Sequence, residues 1–371
     1  MIEQKPSRAA GRVVFAFFAM AGAIFAVGYQ GSAGAVFEPE GRLLTQGRIF
    51  SFACRDFDGD GRPDLVISDY LNPARILFGD PGLEFKKTVV LTSTTETATT
   101  GHGVAVADFN GDKRPDLFLV YNEFQARLLL GDGKGGFADS GRAIGPAGFN
   151  GTSARAADFD GDGDTDVIVT YYQHGARLYL NDGSGTLAES GQVLPEGLQV
   201  GDIDNDGDPD FLSLDEKGAV SVWLNDKGRF LRQDRTVNIG EGFLYIRIVD
   251  FDGDGDPDFV ALSRAGNSLL WENIGRGEFR KLDHVFSPGT RLASGDIDGD
   301  GRRDLVIGSV VWRNAGGGKF ENVQTLPLGM MASLELVDID GDGDLDLLGA
   351  GFVRETGRAD LQLFLNALSK R

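Results

Sequence analysis

A chain of 371 residues could hold two average domains or one repeat array, and its 41% hydrophobic content excludes wholesale disorder. The formal net charge of −20 excludes the clustered Lys and Arg surface that nucleic acid requires, so no nucleic-acid partner is expected. The one cysteine, Cys54, excludes disulfides within the chain; in the apolar run Phe50–Cys54, with no histidine close in sequence, it reads as a small buried residue.

The first element in chain order is a processing signal. Lys5, Arg8 and Arg12 precede the uncharged stretch Val13–Ala35, which holds an apolar run from Val13 to Val27 and ends in the small residues Ala33-Gly34-Ala35. This is the layout of a secretory signal peptide with cleavage after Ala35. The alternative is an uncleaved anchor, because the uncharged stretch is nearly long enough to span a bilayer. Cleavage leaves residues 36–371 as the mature chain, in an extracellular, periplasmic or cell-surface location with no membrane span; the anchor alternative holds the chain at a membrane.

A nine-residue acidic pattern then recurs. It begins as Asp56-Phe-Asp58-Gly-Asp60-Gly-Arg62-Pro-Asp64 and starts again at Asp108, Asp158, Asp202, Asp250, Asp296 and Asp338. Spacings of 42 to 52 residues match the period of a propeller blade, which carries four strands. Each unit has room for them. An apolar run such as Gly103–Ala107 precedes the motif (strand a) and another such as Leu65–Ser68 follows it (strand b). A third run such as Ala176–Leu180 (strand c) leads to a Gly-rich turn, and a fourth (strand d) opens on Phe85, Phe137, Leu187, Phe230, Phe279 or Phe320. In the seventh unit the chain ends after strand c, and Val36–Leu44 resembles the missing strand d. The expected fold is therefore all-β: a seven-bladed β-propeller over 36–371, with an N-terminal strand closing the last blade and removing an exposed sheet edge.

Positions 1, 3, 5 and 9 of the motifs are Asp56, Asp58, Asp60 and Asp64; Asp108, Asn110, Asp112 and Asp116; Asp158, Asp160, Asp162 and Asp166; Asp202, Asp204, Asp206 and Asp210; Asp250, Asp252, Asp254 and Asp258; Asp296, Asp298, Asp300 and Asp304; and Asp338, Asp340, Asp342 and Asp346. Carboxylates this dense repel one another unless a hard cation lies among them. Calcium takes six to eight oxygen ligands and tolerates a flexible loop, whereas zinc asks for His or Cys. The backbone carbonyl at position 7, on Arg62, Arg114, Asp164, Asp208, Asp256, Arg302 or Asp344, completes the expected ligand set. The loop is not an EF-hand: position 12, where an EF-hand has Glu, is occupied by residues such as Ile67, Leu119 and Val169, and a strand follows instead of a helix. Up to seven Ca²⁺ are expected. The second site is expected to be the weakest, because Asn110 removes a charge and Lys113 stands where the other loops have Gly.

These residues resemble the FG-GAP and VCBS repeats, the family that includes the calcium-loop propeller of integrin α chains. The resemblance covers about residues 36–371 and implies a propeller with calcium in the loop between strands a and b. It also implies roles in adhesion, glycan binding or protein docking.

His102, His174 and His284 fall at different phases of the repeat, which argues against a convergent catalytic cluster. Gly131-Asp-Gly-Lys-Gly-Gly136 is a turn between strands c and d and opens no helix, so it predicts no nucleotide site. One face suits a ligand. The loops between strands b and c carry Tyr70 and Asn72; Tyr121 and Asn122; and Tyr171, Tyr172 and His174, each followed by an Arg: Arg75, Arg127 and Arg177. Aromatic rings beside amides and Arg suit a sugar or a protein surface; the competing reading is Tyr packed at blade rims with Arg paired to acids. The expected function is a monomeric binding or adhesion module for a glycan or protein ligand. The alternatives are a calcium-dependent polysaccharide lyase or hydrolase and a docking subunit of an envelope or secretion complex.

Overall fold

The computed structural model describes residues 36–70, 72–91, 101–122, 124–353 and 358–368, so the expected leader and its cleavage site lie outside the described residues. Among those residues the chain forms seven antiparallel four-stranded sheets and no helix. The innermost strands, one per acidic motif, are Ile49–Arg55, Gly101–Ala107, Gly151–Ala157, Leu198–Gly201, Phe243–Val249, Leu292–Gly295 and Met330–Val337. The seventh of these packs against both the first and the sixth, so the blades form a closed ring. The protein is a seven-bladed β-propeller.

The third blade shows why the sequence folds this way. Its strands are Gly151–Ala157, Asp166–Tyr171, Gly175–Asn181 and Leu187–Leu194, paired in that order. Strand b is buried at all six positions, because both faces of its sheet meet neighbouring blades. This is why strand b is apolar at nearly every position rather than alternating. Phe109 and Phe118 of the second blade share one cluster with Val167, Val169 and Tyr171 of the third, and such clusters between blades form the core. At about 25 cal/mol per Å² of buried apolar surface, these seams are the main stabilising term. Strand d, at the rim, is mostly exposed or half-buried.

In the seventh sheet, Arg42–Thr45 pairs with Arg358–Phe364 as the outer strand, followed by Asp346–Val353 and Met330–Val337. Regular pairing is shorter here than the sequence suggested. Phe37 faces Asn366 in an isolated bridge, the register at which Phe230 faces Asn225 and Phe279 faces Asn273. Residues between Phe37 and Arg42 leave the ladder. The amides of Val36 and Phe37 both donate to Oε1 of Gln324 in the sixth blade, at 2.9 and 2.8 Å, and Gln324 Nε2 donates back to the Phe37 carbonyl at 2.9 Å. The first blade also departs from expectation. Phe85 lies outside strand d, which begins at Lys87 opposite Phe78; Phe85 has φ of 49° and packs into the core.

Candidate metal loops and ligand face

Each acidic motif occupies the turn between strands a and b, and its aspartates fold the loop by accepting backbone amides. The first aspartate accepts the amide of position 6: Gly61 to Asp56 at 2.9 Å, Gly163 to Asp158 at 2.9 Å, Gly301 to Asp296 at 2.8 Å. The fifth accepts the amide of position 7 in all seven loops, as in Asp164 to Asp162 at 2.9 Å and Asp256 to Asp254 at 2.9 Å. The sharp curl needs positive φ at positions 4 and 6. Glycine supplies it in most loops, but Asn205 takes φ of 63° and Lys113 takes φ of 65°.

The ninth aspartate has a role that the spacing alone did not reveal. Asp64, Asp116, Asp166, Asp210, Asp258, Asp304 and Asp346 are all buried. In each, Oδ2 accepts the amide of position 2 and Oδ1 accepts the amide of a residue within two positions of the end of strand c: for Asp210, Ile203 at 2.9 Å and Asn225 at 2.7 Å; for Asp258, Phe251 at 3.1 Å and Asn273 at 2.7 Å. It is a bracket tying the acidic loop to strand c, as well as a member of the acidic cluster. Burial pushes these carboxyls up, to about 6 for Asp64 and about 8 for Asp258, while the two amides pull the other way.

The residue bonded by that bracket is itself informative. Asn181, Asn225, Asn273, Asn314 and Asn366 each send Nδ2 to the position-2 carbonyl of the preceding blade's motif: Phe109, Phe159, Ile203, Phe251 and Ile297, at 2.7–3.0 Å. The same amide group reaches the position-8 carbonyl of its own loop, as in Asn225 to Pro209 at 3.1 Å. One buried Asn thus couples two acidic loops across a seam. The signal was present as an Asn recurring at the end of strand c, but an uncharged residue before a Gly-rich turn reads as turn chemistry.

Oxygen atoms from Asp202, Asp204, Asp206 and Asp210 lie within 4.8 Å of one another, as do those from Asp56, Asp58 and Asp64 and from Asp158, Asp160 and Asp166. Oδ1 of Asp58 and of Asp204 is buried without a hydrogen-bond partner. Burial, and next the neighbouring position-5 aspartate, pushes Asp160, Asp204, Asp252 and Asp298 upward. Clustered, partly desolvated carboxylates with orphaned oxygens fit a hard divalent cation. Three basic residues at position 7 lean on position 5 instead: Arg62 on Asp60, Arg302 on Asp300, and Arg114 on Asp112 at 3.7 Å. In the second loop Asn110 Nδ2 donates to Asp112 Oδ2 at 3.1 Å, a bond internal to the loop.

The loops between strands b and c are only partly as expected. Tyr121 and Tyr171, each 3% exposed, are core residues and cannot meet a ligand. Both end a strand b, whose two faces are covered, and Tyr171 shares a 3.0 Å hydroxyl contact with Tyr179. Arg75 is held by Asp69 at 3.2 Å, and Arg177 by Glu189 at 3.4 Å and the His174 carbonyl at 3.1 Å, so these two pair with acids at the rim. What remains accessible is Asn72, Tyr172 and His174, with Tyr70, Asn122 and Arg127 half-buried. Tyr172 is 48% exposed, and the His174 ring stacks on Phe149 at 3.9 Å. Phe124, in the second of these loops, is 37% exposed. Phe50, Leu244 and Tyr245 at the starts of inner strands, and Phe352 near the end of a strand b, are also exposed on this side, opposite the acidic loops. The His102 side chain lies outside the described side chains, and His284 is packed among Phe286, Trp312 and Phe320.

A ring of four-stranded blades, each carrying an acidic a–b loop locked by its ninth aspartate, defines an acidic-loop β-propeller. The chain belongs to the FG-GAP-like repeat family, whose pattern matches residues 56–119, 108–169, 158–201, 202–261, 250–307 and 296–349. No curated protein matches the sequence. Among solved structures, the BP39L lectin from Burkholderia pseudomallei is similar at 14% identity and a TM-score of 0.61, over 86% of this chain and 97% of that one. An Agrocybe aegerita lectin specific for non-reducing terminal N-acetylglucosamine is similar at 19% identity and a TM-score of 0.55, over 76% and 80%. BBS1N, solved in complex with ARL6DN, is similar at 12% identity and a TM-score of 0.59, over 90% and 96%. At these identities the likeness is one of fold. No helix among the described residues is long and apolar enough to cross a membrane.

Proposed function

We propose that this protein is an exported, calcium-stabilised binding module that takes a glycan on the face made by the b–c and d–a loops. The carrying observation is the segregation of the two ends of the blades. One face holds the acidic loops, and the other carries the accessible rings of Phe50, Phe124, Tyr172, Tyr245 and Phe352, along with exposed Asn72 and His174 and half-buried Asn122. Apolar rings with amides at their edges match a sugar, whose CH faces stack and whose hydroxyls need partners. The lectin folds among the similar structures support the reading by analogy of architecture alone.

Calcium on the opposite face is held by the carboxylates at positions 1, 3, 5 and 9 and the carbonyl at position 7, and it supplies the charge that lets these groups stay together. Residues 1–35 carry one acid and three bases, so the remainder has a charge of −22; seven Ca²⁺ bring it to −8. That value is ordinary for a soluble domain. Protein docking is the second reading: the exposed aliphatic side chain of Leu244 adds apolar area on the same side that a sugar does not need.

The test is a glycan array probed with the purified protein and with Phe124→Ala and Tyr172→Ala. Binding to one sugar class, lost in both variants without a change in melting temperature, supports the glycan reading. No binding by a folded, calcium-loaded protein rejects it in favour of a protein partner.

A further inference from the structure

Joined end to end, the bonds of the ninth aspartates and of the asparagines near the ends of strands c form one belt. Asp116 Oδ2 accepts the Phe109 amide at 2.9 Å, and the Phe109 carbonyl accepts Asn181 Nδ2 at 2.8 Å. The Asn181 amide donates to Asp166 Oδ1 at 2.8 Å, which brings the path to the ninth aspartate of the next blade. The same three bonds repeat through Phe159 and Asn225 to Asp210, through Ile203 and Asn273 to Asp258, through Phe251 and Asn314 to Asp304, and through Ile297 and Asn366 to Asp346, all at 2.7–3.1 Å. Aspartates and asparagines alternate along this path from the second blade to the seventh, and every one of them is buried.

Each asparagine of the belt is held at all of its polar side-chain atoms. Oδ1 accepts a turn amide, from Gly185, Gly228, Gly275, Gly316 or Leu368, at 2.9–3.2 Å. Nδ2 reaches the position-8 carbonyl of its own loop at 2.9–3.3 Å, besides the loop of the preceding blade. A side chain fixed in this way moves only with the loops on both sides of it, because a bond opened in a buried joint is costly. The first loop stands outside the belt. Asp64 holds the amide of Gly79 and Asp116 that of Gly131, both at 2.8 Å, and glycine has no side chain to send across a seam. A Cβ at these places would meet the Pro63 carbonyl at 2.4 Å and the Pro115 carbonyl at 2.3 Å, so neither admits Asn without a backbone shift. The Phe57 carbonyl takes the amide of Gly135 instead, within the turn of the second blade, at 3.0 Å. Asp58 also has a cation of its own chain beside it: Lys87 Nζ lies 3.4 Å from Oδ2 and 3.7 Å from the centre of the Phe78 ring.

We propose that calcium fills the second to seventh loops cooperatively through this belt and fills the first loop independently. The proposal rests on the calcium reading above and adds which sites sense one another. An ion that draws the carboxylates of one loop together stiffens its ninth aspartate. That aspartate holds the position-2 peptide, the peptide holds the Asn of the next blade, and the Asn is held by the next ninth aspartate. Ordering done for one loop is then partly done for its neighbours, which gives positive cooperativity with no contact between the ions.

The experiment is hydrogen exchange of the whole protein, read loop by loop by mass spectrometry as calcium is titrated into EDTA-stripped samples, alongside the overall binding isotherm. The second to seventh loops should gain protection together, with a Hill coefficient of about 2 or more, while the first follows a simple isotherm of its own. Asp204→Asn weakens the fourth loop and should raise the calcium midpoint of the third and fifth by about fivefold or more, leaving the first unmoved. Asn225→Ala cuts the belt between the third and fourth loops. The two parts should then fill at separate midpoints, and adding Asp204→Asn should no longer move the third loop. If Asn225→Ala does not fold, the parent isotherm and Asp204→Asn decide the matter. Calcium binding that is non-cooperative, with neighbouring midpoints unmoved by Asp204→Asn, overturns the coupling and leaves the calcium reading standing. Calcium that protects none of the loops overturns both, and a first loop that shifts with the others overturns the belt as the path.

Discussion

Lys113 has φ of 65°, a left-handed conformation that costs a non-glycine residue on the order of 1 kcal/mol. It does so in the loop where Asn110 turns its amide onto Asp112. Lys113→Gly should stabilise the protein by about 0.5–1 kcal/mol and tighten the weakest of the proposed calcium sites, read by denaturant unfolding and calcium titration. Glu335 makes a different prediction. Burial pushes its carboxyl from 4.5 to about 7, against the attraction of Arg55. The folded state therefore holds the proton more tightly than the unfolded chain, so this group's stabilising contribution is full below pH 4.5, declines as pH rises, and is lost above 7. Glu335→Gln should flatten that decline and be more stable than the parent at pH 8, by on the order of 1–3 kcal/mol. A variant whose pH profile parallels the parent's would contradict this. At this scale the sequence was a partial guide. Lys113 could be picked out because every other loop has Gly at its place. Tyr171 and Tyr172 look alike in sequence, but the edge of the covered sheet runs between them, so one is core and the other surface.

Among elements, the seam between blades is held by apolar clusters and by the Asn at the end of strand c. Asn225 Nδ2 bonds the Phe159 carbonyl at 2.8 Å and the Pro209 carbonyl at 3.1 Å, both within the buried joint. Asn225→Ala leaves those carbonyls short of a donor and should cost roughly 2–3 kcal/mol in denaturant unfolding. A loss under 0.5 kcal/mol would show that the joint is closed by packing alone. Strands a and b were legible because apolar runs flank a fixed acidic motif. Strand d of the first and last blades was legible in place but not in extent, because Phe85 and Phe37 reach the core from irregular chain and the ladders start later, at Lys87 and Arg42.

For the whole molecule, seven acidic loops sit on one face of a closed ring, and each is bracketed to strand c by its ninth aspartate. Calcium bound there would oppose the mutual repulsion of the loops and, through the bracket, stiffen every blade. A single site at a calcium concentration one hundred times its dissociation constant adds roughly 2.7 kcal/mol, and linked sites add less than the sum. The most direct measurement is calcium binding and thermal unfolding on the same sample, by calorimetric titration of EDTA-stripped protein followed by melts in calcium, magnesium and EDTA. The account predicts six to seven ions per chain, one of them weaker, and a melting temperature at least 10 °C higher in calcium than in EDTA, with magnesium giving a minor part of the gain. Fewer than two ions bound, or melts that coincide in calcium and EDTA, would contradict it.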